Sequence, residues 1–477
     1  MYWLIIPAIL LVFVAVILIR TLRFTPPVLP QVPAAPVQVD EAKLVDDMSA
    51  MIRCRTVSNR DESLVDWAEF EKFQNLLCER FPRIHAAATL TKLGRTGLLY
   101  HIKGASDAAP SVCMAHYDVV PVEESGWTRP AFDGFVEDGV LWGRGTLDTK
   151  GTLCGVMEAL EQLLASGYVP KNDLYLSFSG QEEIDGDCCR AIVSYLKEQG
   201  VRPAMVVDEG GAVVDHVFPG VDGQCALIGI AEKGNVSMDL GILSQGGHAS
   251  TPPPHTILGQ LSQAAVDMEN HPFPRQLTRP VAEMFDTLGR HSTFLYRMIF
   301  ANLWCFEPVL DMICKKSGGE LNAMMRTTVA VTRMEGSRAY NVLPPKASMG
   351  INIRLMGSDT MESATEYLRK VINNDQISIR VVDGGNASAV SETTGEAWET
   401  LKTAIRQTWP EALVSPYLMM AGSDSRNYCA ISDHVYRFSA MHLSKEERAM
   451  IHGNDERVPV ATLVRTVEFY LRLLQML

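Results

Sequence analysis

The sequence predicts an α/β fold with a mostly parallel central sheet, a smaller inserted α+β unit and an apolar helix at the N-terminus. Three observations carry this. Apolar strand-like runs alternate with helical patterns between Leu98 and Val207, the pattern turns to paired strands from about Gly234, and Trp3 to Ile19 is apolar apart from Pro7. Strands separated by helices become buried on both faces and favour parallel pairing. At 477 residues the chain is too long for one core, so two or more domains follow.

The N-terminal run is long enough to span a bilayer and is closed by Arg20 and Arg23. It lacks the basic start and small-residue cleavage site of a signal peptide, so residues 1–24 read as a single-pass membrane anchor. The two arginines, by the positive-inside tendency, would hold the body in the cytoplasm. Residues 25–39 form a linker, and Pro26 to Val39 carries five prolines and no charge, which predicts a semi-rigid spacer off the membrane.

Folded sequence begins at Asp40. Helical spacing covers Glu41–Ile52 and Glu62–Phe81, the latter with Trp67, Phe70, Phe73 and Leu77 on one face as core. Strands are predicted at Leu98–Ile102, Val112–Ala115, Leu174–Phe178 and Ala204–Val207, and helices at Thr152–Ser166 and Asp187–Gln199. A second unit follows, with strands at Thr327–Met334, Ala347–Arg354 and Ile377–Val382 and helices at Ile257–Glu269 and Met361–Ile372. The expected division is 40–233 with 390–477 as one domain and 234–389 as the insertion. Phe273–Asn322, rich in Leu, Phe and Met, is read as helical core, with an acyl pocket or membrane contact as the other readings.

Charge excludes one class of partner. With 56 acidic against 43 basic residues, a net charge of −13 and no basic run, the chain lacks the face that nucleic acid requires. Ten cysteines at irregular spacing, with no CxxC pair, read mainly as small buried hydrophobes.

Chemistry concentrates where the strands end. His116 and Asp118 share one face of an extended run, which suits a metal-binding imidazole and the acid that orients it. Asp148 follows VLWGRGTL; Glu182 and Glu183 follow LYLSFSG; Asp208 and Glu209 follow AMVV. In open α/β sheets the functional crevice lies beyond the carboxyl ends of the strands. So many carboxylates there would repel one another unless cations neutralise them. Two divalent ions sharing Asp148 meet that need, zinc first, with manganese or cobalt as substitutes.

AHYDVVP, GRGTLDTKG, GQEEIDG, VVDEGG, GGHASTPP and IHGNDERV, in that order, resemble the co-catalytic zinc hydrolases that include aminoacylase-1, carnosinase and carboxypeptidase S. The resemblance covers residues 40–477. EESGW, NLWCFEPVL and SDSRNY resemble the carboxypeptidase S and N-fatty-acyl-amino-acid synthase/hydrolase branch. It implies a zinc-peptidase-like catalytic domain and a lid and dimerisation domain, hence a homodimer. One zinc would be held by His116, Asp148 and Glu209, the other by Asp148, Glu183 and His452. Glu182 would be the general base, with Asp118 orienting His116. Asp208 is the alternative to Glu209, which the family motif favours.

The resemblance also implies that His248 reaches a neighbouring subunit's site to stabilise an oxyanion. Asn341 and Arg354 would bind substrate, with Arg426 a second candidate to clamp its carboxylate. The expected reaction is hydrolysis of an amide beside a free α-carboxylate, on a small molecule or peptide, reversible as synthesis. A broad dipeptidase is the runner-up, and an inactive membrane-tethered binding protein the reading from another class. By resemblance to carboxypeptidase S, the body would lie on the extracytoplasmic or lumenal side, against the arginine signal. The sequons at Asn235 and Asn386 do not settle the side.

Overall fold

The computed structural model describes residues 5–28, 30 and 32–477. An eight-stranded sheet runs, in spatial order, Ala88–Leu93, Gly97–Ile102, Leu174–Ser179, Ser111–His116, Met205–Asp215, Val435–Leu443, Gln224–Glu232, Leu413–Met419. The expected mostly parallel sheet is corrected to a mixed one. Its centre is parallel, but Gly97–Ile102 pairs antiparallel with both neighbours, and Gln224–Glu232 runs antiparallel to Met205–Asp215 and Val435–Leu443. Apolar runs buried on both faces look alike whichever way they pair. Strand Leu174–Ser179 is buried along its whole length.

Helices Lys150–Ala165 and Val460–Leu474 pack together on the sheet. A Cβ on Gly155 would meet the Thr466 methyl at 2.5 Å, so glycine is what lets these two helices approach. Thr466 Oγ1 in turn donates to the Ala440 carbonyl at 2.8 Å, fixing the second helix to strand Val435–Leu443.

A separate antiparallel four-stranded sheet has the order Thr328–Glu335, Lys346–Leu355, Gly234–Leu243, Ser378–Gly385. Helices Ile257–Asn270 and Met361–Ile372 cover it, and Leu240, Leu261, Met349, Ile353 and Leu368 form its own core. Helices Arg279–His291 to Gly319–Met325 lie within the inserted sequence yet bury Val281, Phe285, Leu288 and Met325 in the large core. The first of them covers the edge strand Leu413–Met419, whose open side would otherwise stay unpaired.

Among the described residues one helix, Ile5–Arg23, is long and apolar enough to cross a membrane, with a mean hydropathy of 2.8. The residues of the predicted anchor before Ile5 lie outside the described ones. The proline-rich stretch departs from the expected spacer: Arg406 donates to the Pro30 carbonyl, Gln407 to Pro33 at 3.0 Å and Gln162 to Gln38 at 2.8 Å. These described residues lie along the body as a strap. The ten cysteines are all free, seven of them buried.

Candidate metal centre and substrate crevice

Strands Leu174–Ser179, Ser111–His116 and Met205–Asp215 are parallel neighbours, so their carboxyl ends share one sheet edge. His116 closes the middle strand opposite Ser179. Glu182 and Glu183 follow in the next turn, and their backbone N–H groups donate to the two oxygens of Asp118 at 3.1 and 3.2 Å. Asp118 also stands 3.5 Å from His116 Nδ1, whose nearer partner is the Asp118 carbonyl at 3.0 Å. One residue thus sets both the imidazole and the glutamate turn.

The third strand does not stop at the acidic pair as expected but continues to Asp215. Its register against Val435–Leu443 jumps between Asp208–Arg437 and Gly211–Phe438, so Glu209 and Gly210 bulge out of the ladder. Gly210 has φ +141, and a Cβ on Gly211 would lie 1.9 Å from the Leu227 carbonyl oxygen, so both positions require glycine. The bulge brings Glu209 Oε1 to 3.2 Å from His116 Nε2, while Asp208 turns away to accept the Ser425 N–H at 3.1 Å.

Asp148 spans the centre. Its Oδ1 lies 2.8 Å from His116 Nε2 and its Oδ2 3.0 Å from His452 Nε2, which is also 3.0 Å from Glu183 Oε2. His116, Asp148 and Glu183 form one group with ligand atoms within 4.8 Å of one another, and His116, Glu182 and Glu209 another. Two imidazoles therefore face Asp148, Glu182, Glu183 and Glu209. Burial, with Glu209, Asp424 and Glu183 nearby, pushes Glu182 well above the usual carboxylate range. Burial likewise moves Glu209 to about 8 and Asp424 to about 7. Hydrogen bonds to Asp148 and Glu183 hold His452 protonated up to about 10. Nitrogen and oxygen donors packed this closely, with excess negative charge, are the donor set that divalent cations take.

The supporting residues were not singled out from sequence. Glu456 Oε1 accepts the N–H groups of Gly145, Leu147 and Asp148 at 3.1, 2.8 and 3.3 Å. Its Oε2 pairs with Arg144 Nη1 at 2.5 Å, and Arg144 Nη2 donates to the Gly453 carbonyl at 2.7 Å. This clasp joins the loop carrying Asp148 to the loop carrying His452. Behind Asp208, buried Glu232 pairs with Arg437 at 2.6 Å and accepts the Ser423 N–H at 3.1 Å. Glu456 and Arg144 lie inside motifs the sequence offers, which is the only signal that pointed to them.

Beside the acidic cluster is a crevice of about 290 Å³ whose lining includes Glu182, Glu183, Arg354, Arg426 and His452. Arg426 donates to the Asn386 carbonyl at 2.8 Å, and burial together with Arg426 lowers the Arg354 pKa. Asn235 also lines the crevice. His248 and Asn341 are not brought to it. They lie exposed on the inserted unit, where His248 pairs opposite Val342 and the Asn341 carbonyl accepts the Ala249 N–H at 3.1 Å.

Paired histidines and acids at a parallel sheet edge, beside an arginine-lined crevice, define a metal-dependent hydrolase. The chain belongs to peptidase family M20/M25/M40, whose model matches residues 112–476. It is similar to a probable carboxypeptidase S-like 2 of Dictyostelium discoideum, 33% identical over 413 residues, 85% of this chain and 79% of that one. It is also similar to the N-fatty-acyl-amino acid synthase/hydrolase PM20D1 of Xenopus tropicalis, 32% identical over 442 residues, 91% and 86% of the two chains. The fold resembles the M20 family metallo-carboxypeptidase Sso-CP2 from Sulfolobus solfataricus, with a TM-score of 0.66, 16% identity and coverage of 92% and 99%.

Proposed function

We propose that this crevice hydrolyses an amide whose amine-side residue bears a free α-carboxylate, and that long-chain N-acyl amino acids are its substrates. The observation that carries the reading is Asp148, one oxygen toward His116 and the other toward His452, beside a crevice containing Arg354 and Arg426. His116, Asp148 and Glu209 would hold one divalent cation, and Asp148, Glu183 and His452 the second, zinc by the preference of imidazole and carboxylate. Such cations supply polarisation of the scissile carbonyl and acidification of a water.

The chain's own groups do the rest. Arg354 takes the substrate carboxylate through two parallel hydrogen bonds, with Arg426 beside it. Glu182 accepts a proton from the attacking water and returns it to the departing amine nitrogen. Asp118 keeps His116 and the Glu182 turn in register. His248 and Asn341, exposed on the inserted unit, are the groups a second copy would present to this crevice in a homodimer. In this reading residues 40–233 and 390–477 are the catalytic domain, and 234–389 supplies the lid and dimer contact. Helix Ile5–Arg23 anchors the body to the membrane on its extracytoplasmic or lumenal side.

The acyl preference draws on the activity by which the Xenopus relative is named, and the carboxypeptidase alternative on the name of the Dictyostelium one. A hydrolysis panel on zinc-loaded protein separates them. Mass spectrometry would compare N-fatty-acyl amino acids, N-acetyl amino acids and blocked dipeptides, with Glu182→Ala as control. Faster turnover of long acyl chains is the expected result. Faster turnover of peptides overturns the acyl assignment, and no metal-dependent turnover overturns the catalytic one.

A further inference from the structure

The helix Leu303–Ser317 carries apolar side chains on both of its faces. Inward it buries Leu310, Cys314 and Asp311, the last paired with Arg326. Outward, Trp304 is 54%, Met312 63% and Ile313 52% exposed, joined by Leu295 at 61% on the preceding helix Phe294–Ala301. A water-facing helix keeps its outer face polar. A contiguous outward apolar face of this kind marks a partner or a membrane.

Its position says which. The N-terminal helix packs on this same pair of helices. Asn302 Nδ2 donates to the Ile17 carbonyl at 3.3 Å and to Thr21 Oγ1 at 3.2 Å, Arg20 Nε to the Ala301 carbonyl at 3.2 Å, and the Phe13 and Trp304 rings stand 5.6 Å apart. Phe13 lies seven residues before Arg20, or about 10 Å along a helix rising ~1.5 Å per residue. Whatever depth the anchor reaches, Trp304 beside Phe13 reaches it too.

We propose that the helices Phe294–Ala301 and Leu303–Ser317 form a second, monotopic membrane contact, lying in the same leaflet as the end of the anchor. The inference rests on the reading of Ile5–Arg23 as a membrane-inserted helix. Leu295, Trp304, Val309, Met312 and Ile313 face acyl chains, while Lys316 in the last turn reaches back to the headgroups. The ligand class is the bilayer's hydrocarbon and headgroup boundary.

The test uses the full chain in phosphatidylcholine vesicles, with exposed Cys78 replaced by serine and an environment-sensitive fluorophore placed through Ile313→Cys, Leu10→Cys or Asp107→Cys. Emission is read with and without lipids brominated along their acyl chains. The expected result is loss of emission at 313 comparable with that at 10, and none at 107. Quenching at 10 but not at 313 overturns the inference and leaves the anchor standing. A blue shift at 313 that brominated lipid does not quench also overturns it, because a second protein copy then covers the face. No quenching at either position overturns the anchor reading itself.

Discussion

Two kinds of buried charge lie within this one catalytic face, and they differ in their accounting. Glu232 with Arg437, and Glu456 with Arg144, are close ion pairs whose remaining oxygens accept backbone or serine donors, with Arg426 also 4.0 Å from Glu232. At the strand tips, among the described residues, Asp148, Glu183 and Glu209 pair with His116 and His452, and Glu182 stands beside them. The matched pairs need nothing from outside and hold the loops. The unmatched cluster is complete only with added positive charge, which separates a scaffold from a site.

The comparison can be broken most severely at Glu182. Glu182→Gln should cut turnover about 10²–10⁴-fold, the usual worth of a general base, while metal analysis still finds the ions bound. Loss of metal would move Glu182 into the ligand set.

Next comes a contrast between the clusters in metal-free protein. Glu456→Gln strands Arg144 in the interior and should cost about 3–5 kcal/mol in denaturant unfolding. Glu209→Gln, replacing a carboxyl that burial already holds mostly neutral up to about pH 8, should leave stability unchanged or raise it. If both variants destabilise equally, the distinction between matched and unmatched charge fails.

Arg354→Met should raise KM for carboxylate-bearing substrates about tenfold, as loss of a charge-assisted bond does, with kcat little altered. An unchanged KM shifts the carboxylate clamp to Arg426.

The smallest effect concerns Lys233, whose buried ammonium donates to the Ala323 and Arg326 carbonyls. Burial, with Arg354 nearby, lowers its pKa from 10.5 to about 7. Between those values the unfolded chain binds a proton that the folded one does not, so stability rises with pH across that window. Lys233→Met should flatten that rise by at most about 1.4 kcal/mol per pH unit. A slope equal to that of the parent protein would mean that Lys233 stays charged in the fold.

The strand and helix order was legible because apolar periodicity is local. Helix Met361–Ile372 falls where its spacing placed it, and Ser111–His116 ends on the histidine the sequence pointed to. Pairing direction was not, because a run such as Gly97–Ile102 carries no mark of its neighbour. The bulge at Glu209 depends on a register jump against Val435–Leu443, and the Glu456 clasp joins residues about 310 apart in sequence. Neither leaves a short-range pattern. Which core the helices from Arg279 to Met325 join was not legible for the same reason: their apolar faces announce burial but not against which sheet.

The docking of Pro30, Pro33 and Gln38 on the body has a consequence for release. Arg406, Gln407 and Gln162 hold these residues, and Asn302 grips the helix before them. A protease that nicks the chain between Thr25 and Asp40 therefore does not free the body by that cut alone. On the proposed anchor reading, release would take two events, cleavage and then undocking of Ile17 and Thr21 from Asn302, and the second would set how long a clipped body stays at the membrane.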